Sequence, residues 1–473
     1  MVTTVANFGI ALLVAGSSTT LAGVFFATTA IVTIAGNSSA LGTMTGLVYF
    51  MPSVLAADRA NPRSLLWLAG KPVVVVSTTI ALALALGSGS IAGIIADGEG
   101  HEVAGVLLVL APAVPFWAVT VAALGATRGL GSMTPTVLIN QVVRPLGQFA
   151  LIATVVLGDP SPSATAIAVA WLAPVVVTAA LAAAAVAILG GLRADGPALV
   201  GRTEFWTYTR PRAVSAAGQI ALERSDVILV SALAGAGAAG VYGTVTRFVT
   251  AGNFVVFAMG QASSSPLRRA LAAGRTDEAQ RLLDRATAWM VLAAGSYFLL
   301  VATKASALVA VLGPDLTAGA GALTIASLAM VVNAAAGPVD LTLLMLGRSR
   351  ASLAATAGAL VIDLAIAVAT IPWLGLAGAA LAWGAAVVVQ NVVAAVLVNR
   401  HGGLRPFGPP ARRALAVASV AVLPAGLLTA DTFGGLVAAC VVSGGLLVAL
   451  AMAQAGTFGL PGLGSVRGLG RSS

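Results

Sequence analysis

The chain has 473 residues, of which 59% are hydrophobic and 9% charged, with a net charge of +9 and a mean hydropathy of +1.00. A soluble domain carries about 25% charged residues, so water cannot be the solvent for this surface and lipid must be. A single cysteine, Cys440, excludes an internal disulfide and a cysteine-built metal site, and the basic residues recur in short bursts instead of one patch, which argues against nucleic acid as a partner.

A spanning helix needs roughly 20 apolar residues. Apolar runs at 2–16, 20–50, 72–96, 103–126, 134–157, 164–190, 213–233, 238–262, 286–312, 318–346, 351–371, 375–398, 413–429 and 433–456 predict an all-α membrane protein of fourteen transmembrane helices. Lipid offers the backbone no hydrogen-bond partner, and these runs are too long for barrel strands. The second run is long enough to be broken, and Pro52, Pro145, Pro174 and Pro338 are expected to break their helices. One alternate set of loops carries Arg59, Arg63 and Lys71, then Arg128, then Arg193 to Arg212, Arg268 to Arg285, Arg348 and Arg350, and Arg400 to Arg413, ending with Arg467 and Arg471 in a Gly-rich tail. The other set has no Lys or Arg but holds Asp97, Glu99, Glu102, Asp159, Asp315 and Asp431. The positive-inside rule makes the first set cytoplasmic, with both termini inside a plasma membrane. No charged n-region precedes the first apolar run, so no cleavable signal peptide is expected.

Two segment pairs repeat. Leu21-Ala-Gly-Val-Phe-Phe26 resembles Ala238-Ala-Gly-Val-Tyr-Gly243 at an offset of 217, and Ala168 to Val177 resembles Ala380 to Val389 at an offset of 212. Nearly equal offsets equate helix 2 with helix 8 and helix 6 with helix 12. Two parallel six-helix lobes around a central cavity are expected, a transporter design: residues 1–190, a cytoplasmic linker at 191–212, and residues 213–398. An extra helix pair at 399–456 and a flexible tail at 457–473 follow. Helix 7 begins near Arg212, and its counterpart would begin before residue 1, so the first helix is short and an upstream start codon is a candidate.

Several short motifs then fall in order: Asp226-Val-Ile-Leu in helix 7, Ala239-Gly-Val-Tyr242 opening helix 8 with Arg247 after it, Pro266 and its basic segment, Leu312-Gly-Pro-Asp315, Ile371-Pro-Trp-Leu-Gly-Leu-Ala-Gly-Ala-Ala380, and Gly16 to Phe26 in the first lobe. Across most of residues 10–400 the chain resembles the polysaccharide-exporting, O-antigen flippase branch of the multidrug/oligosaccharidyl-lipid/polysaccharide exporter superfamily. That resemblance implies a flippase of lipid-linked oligosaccharide of the undecaprenyl-diphosphate type, serving cell-surface polysaccharide biosynthesis, with polysaccharide polymerases and glycosyltransferases as candidate partners. Asp363 departs from the family, which often has Asn there.

A charge at the bilayer centre costs at least about 2.5–3.5 kcal/mol, so intramembrane charges are functional candidates. In helix 5, Asn140, Arg144 and Gln148 lie at i, i+4 and i+8, one face of a regular helix. Helix 7 holds Gln219, Glu223, Arg224 and Asp226; Arg247 lies in helix 8; Asp340 and Asp363 lie in helices 10 and 11. Arg144, Arg224, Arg247, Asn140 and Gln148 are candidates to line a cavity and hold a diphosphate, because guanidinium presents fixed bidentate donors to phosphate. Glu223, Asp226, Asp340 and Asp363 are candidates for ion pairing or coupling. The competing reading pairs Arg224 with Glu223 or Asp226, and Arg247 with one of the same carboxylates. Lys304, near the outer end of helix 9, is expected to snorkel. Gly235-Ala-Gly-Ala-Ala-Gly240 fits a dinucleotide fingerprint but follows no strand, so it reads as a turn between spans. His101-Glu102 lies in a small outer loop, and neither a metal nor any other cofactor is expected.

Three function classes compete on these residues. A flippase or exporter working by alternating access leads, with a lipid II flippase as its near relative. A drug/cation antiporter of the same superfamily needs an acid buried in a lobe, whereas the acids of helices 1–6 (Asp58, Asp97, Glu99, Glu102, Asp159) sit in loops. A membrane enzyme such as a polymerase or lipid-dependent glycosyltransferase needs a large outer loop, and the outer loops here are a few residues long, so no enzyme is expected.

Overall fold

The computed structural model describes residues 2–56, 61–94 with Ile95, 100–194 and 196–453. The loop charges Asp58, Arg59, Asp97 and Glu99 and the expected tail at 457–473 lie outside the described residues. Every regular element among the described residues is helical. The chain divides into two compact units, Met1–Thr244 and Val245–Ser473.

The first unit opens with α1 (Val2–Ser17), then α2 (Thr19–Ser39) and α3 (Thr43–Leu55). Ser18 caps α2 by accepting from the Leu21 amide, which satisfies one orphan N–H of the first turn. Leu41 and Gly42, at φ 53° and 68°, break the long second run into α2 and α3. Next come α4 (Pro62–Leu86), capped by Asn61, then α5 (Ser88–Ile95), α6 (Gly100–Leu110) and α7 (Ala113–Gly129). The pair α6 and α7 is bent by 42°. A π-helical stretch, Thr136–Val143, runs directly into α8 (Arg144–Gly158), and α9 (Ala164–Ile188) follows. The unit ends with α10 (Arg202–Ala234) and the first turns of α11 (Ala236–Ala272).

The second unit continues α11 and adds α12 (Thr276–Met290), a π-turn (Val291–Gly295), α13 (Ser296–Thr303), α14 (Ala305–Leu312) and a 3₁₀ turn (Pro314–Gly319). After these come α15 (Ala320–Ala336), α16 (Val339–Met345), α17 (Ser349–Leu374), α18 (Leu376–Gly402), α19 (Pro409–Leu428) and α20 (Phe433–Ala453).

Ten helical segments among the described residues are long and apolar enough to cross a membrane, eleven when the bent pair α6–α7 counts as one span. The three remaining expected spans are helices that fall short for visible reasons. α1 has only 16 residues, and α10 and α11 carry Arg210, Glu223, Arg224, Asp226, Arg247, Arg268 and Arg269.

Several sequence expectations are corrected. Helix α10 starts at Arg202, so residues 202–212 are helix and not linker. Its mean character is polar at that end, which hides the helix from a hydropathy reading. α3 and α9 run through Pro52 and Pro174 unbroken, as membrane helices can when neighbouring groups satisfy the freed carbonyl. Lys304 does not snorkel. It is 1% exposed, and its Nζ reaches Asp431 at 3.1 Å and donates to the carbonyls of Thr429 at 2.5 Å and Ala430 at 3.3 Å. The ammonium thus closes the C-terminal end of α19, where orphan carbonyls and the helix dipole favour a cation.

The helix starts preserve both repeat offsets: Thr19 and Ala236 open α2 and α11, 217 apart, and Ala164 and Leu376 open α9 and α18, 212 apart. At the first pair the backbones touch. A Cβ added at Gly23 would overlap the Ala236 carbonyl oxygen, and one added at Gly240 would overlap the Thr19 carbonyl oxygen. Gly23 and Gly240 are equivalent in the repeat, as are Thr19 and Ala236, so the crossing is reciprocal. Small residues let helix backbones approach in lipid, which gives the Gly235–Gly240 motif a packing role. Gly23→Leu or Gly240→Leu is expected to lose at least the 1–3 kcal/mol typical of overpacking, read as loss of monodisperse protein on fluorescence-detected size exclusion. Normal yield of both variants would contradict the contact.

Candidate functional site

The site is built where a proline meets an arginine. Pro145 has no N–H to give the Gln141 carbonyl, and its ring crowds that carbonyl. The chain answers by winding Thr136–Val143 as π-helix, with the Arg144 amide donating to the Ile139 carbonyl. The freed Gln141 carbonyl is taken by α1, where Thr3 Oγ1 donates to it at 3.0 Å. π-Bulges of this kind re-aim side chains.

Arg144 is re-aimed onto an aromatic wall. Its guanidinium carbon lies 4.2 Å from the centroid of the Trp117 ring on α7, within cation–π range. Trp117 stacks on Trp171 of α9, with centroids 6.0 Å apart and planes 12° apart. Gly36 of α2 makes room behind it, since a Cβ there would sit 2.9 Å from Trp117 Cδ1. Gln148, one turn past Arg144 and 4% exposed, donates from Nε2 to the Trp171 carbonyl at 3.2 Å and ties α8 to α9.

Arg224, partly buried on α10, belongs to the same compact unit as Arg144. Among the described residues neither arginine forms a salt bridge. The carboxylates adjacent to Arg224 are turned elsewhere. Glu223 is exposed and accepts from Gln219 Nε2 at 3.2 Å, and Asp226 Oδ1 accepts from the Val227 amide at 2.8 Å.

The remaining sequence candidates fall as follows. Asn140 is partly buried in the π-helical stretch and makes no hydrogen bond among the described residues. The i, i+4, i+8 face assumed regular α-winding, and the π-turn shifts Asn140 out of register with Arg144 and Gln148. Arg247 lies partly buried on α11 in the second unit and is engaged by a neighbouring group. Asp340 accepts from Ser352 Oγ at 2.6 Å, joining α16 to α17, and Asp363 is 1% exposed on α17 and also engaged. Sequence reasoning passed over Trp117 and Trp171, and over an amide network in the second unit: Asn391 Nδ2 donates to Asn333 Oδ1 at 2.9 Å, and Gln390 Nε2 to Thr356 Oγ1 at 3.1 Å. Amides inside apolar runs and a Trp within a repeated segment were the signals that could have marked them.

No protein-family model matches the chain, and no curated protein matches it by sequence. Solved structures do. A structure of the lipid II flippase MurJ in an inward closed conformation matches with a TM-score of 0.74 at 12% identity, covering 96% of this chain and 97% of that one. The chain therefore shares the fold of this flippase. An inward-facing multidrug resistance MATE transporter matches with a TM-score of 0.67 at 18% identity, covering 88% and 94%. A superfamily transporter from Pyrococcus furiosus, whose binding pocket is described as of reverse polarity, matches at 0.56 with 17% identity, covering 88% and 93%. The chain therefore shares its fold with these multi-pass proteins, and ten of its described helical segments are long and apolar enough to cross a membrane.

Trp117→Ala is expected to weaken whatever anion Arg144 holds by about 0.5–2 kcal/mol, the range of a cation–π contact, while Trp117→Phe keeps most of it. Transport normalised to membrane abundance measures this, and equal transport by both variants would contradict the aromatic support.

Proposed function

We propose that the protein is a flippase that moves a lipid-linked saccharide of the undecaprenyl-diphosphate type across the cytoplasmic membrane by alternating access, for cell-surface polysaccharide biosynthesis. One observation carries the reading: Arg144 rests on a stacked tryptophan pair and, like Arg224 of the same unit, forms no carboxylate salt bridge among the described residues. A diphosphate leaving water needs such donors, and guanidinium supplies them bidentately. A tryptophan face beside them suits a sugar ring or a prenyl tail.

Three further parts of the reading are ours. Helices α1, α10 and α11 complete fourteen spans, with both termini cytoplasmic. The preserved offsets of 217 and 212 support two equivalent lobes. Polymerases and glycosyltransferases are the partners such a flippase would serve. A second reading, a flippase of lipid II, is favoured by one observation: the MurJ structure matches along nearly the whole of both chains. A cation antiporter fits less well, because a cationic substrate would meet two unneutralised arginines.

Arg144→Ala and Arg224→Ala are expected to abolish export with the protein still inserted, and Lys at either position to restore it only in part, because an ammonium lacks the planar fork. A purely structural arginine behaves differently: its removal strands a buried carboxylate at roughly 3–5 kcal/mol, and the protein is lost. Complementation of a surface-polysaccharide defect, with membrane abundance measured in parallel, separates the two. Full export by both alanine variants would rule out the phosphate clamp, and rescue of a peptidoglycan-precursor defect instead would select the second reading.

A further inference from the structure

The outer face of α4 carries a stripe at helical spacing, with Arg63, Trp67 and Lys71 at i, i+4 and i+8. All three are exposed, Trp67 at 54%. Lys71 Nζ lies 5.3 Å from the Trp67 ring centroid, which holds the ammonium beside the indole. Gly70 leaves a notch between them, since a Cβ there would meet nothing within 4 Å. These residues line a groove of about 720 Å³ together with Val74, Val75 and Leu192, and no acid lines it among the described residues. Below the cations the same face stays apolar and open: Val75 is 65% exposed, Leu82 57% and Leu86 89%. From Lys71 to Leu82 the helix advances about 16 Å at 1.5 Å per residue, close to half of a hydrocarbon core about 30 Å thick.

We infer that this groove is a binding site for an anionic glycerophospholipid, its phosphate between Arg63 and Lys71, its glycerol backbone against Trp67, and one acyl chain along Val74, Val75 and Leu82. Three features select this occupant: two cations with no acid beside them among the described residues, an interfacial indole, and an apolar track one leaflet deep. A zwitterionic lipid gains nothing from the two cations, because its own cation offsets its phosphate. The inference is independent of the transported substrate, since the groove is formed on α4 and shares no residue with the Arg144 region.

The test is native mass spectrometry of the full-length protein released from nanodiscs of equimolar dioleoyl phosphatidylglycerol and phosphatidylcholine. The wild type is expected to retain phosphatidylglycerol preferentially, at roughly fivefold per cation engaged. Arg63→Gln with Lys71→Gln should bring the ratio close to one, and Trp67→Leu should lower total retention, whereas Arg412→Gln with Arg413→Gln should leave the ratio unchanged. Should the double variant fail to fold, the wild-type ratio still decides. No preference in the wild type, an unchanged preference in the folded double variant, or displacement of phosphatidylglycerol by equimolar undecaprenyl phosphate would each overturn the inference.

Discussion

The structure depends on how charge is held where water is scarce. Most of this chain meets lipid, and each ionised side chain within it must find a counter-charge, a set of dipoles, an aromatic face or a ligand. The protein uses these differently in its two units. In the second unit Lys304 is sealed by Asp431 and by the carbonyl end of α19, an arrangement that consumes its charge and ties the α19–α20 hairpin to α13 and α14. In the first unit Arg144 is held by a tryptophan face and forms no salt bridge among the described residues. The first arrangement is complete as it stands; the second has charge to spare.

That contrast explains why the backbone around Arg144 is irregular. A regular helix through Pro145 would leave the Gln141 carbonyl unsatisfied in an apolar setting, at a cost of some kcal/mol. The π-turn and the Thr3 hydroxyl absorb this while rotating Arg144 toward Trp117. Gly36 and Trp171 then pack against the tryptophan, and Gln148 holds the Trp171 backbone to α8, so the cation rests on a rigid surface. Rigidity matters for an anion site, because donors already in place need no reorganisation when the ligand arrives.

Much of the architecture was legible in the amino-acid sequence, because lipid leaves the backbone so few options. Apolar run length located the helices, and the 217 and 212 offsets anticipated where α11 and α18 begin. What escaped has physical reasons. The start of α10 at Arg202 is too polar for hydropathy to register. Pro145 was read as a kink, yet the accommodation spread back over eight residues as a π-helix and displaced Asn140 from the expected face. Lys304 looked like a snorkelling end residue because its partners, Thr429, Ala430 and Asp431, lie over a hundred positions away. Arg144 was recognisable from the absence of nearby acids, but the Trp117–Trp171 wall that supports it comes from two other helices and leaves no local signature.

The central claim is that Arg144 and Arg224 together hold the phosphates of a lipid-linked substrate. It is tested most directly by equilibrium binding of an undecaprenyl-diphosphate saccharide to the purified protein in nanodiscs, with Arg144→Gln and Arg224→Gln singly and together. Each substitution removes a charge-assisted contact worth about 1.5–3 kcal/mol, so the account predicts at least about a tenfold loss of affinity for each, with protein yield unchanged. Wild-type affinity in the double variant would contradict it.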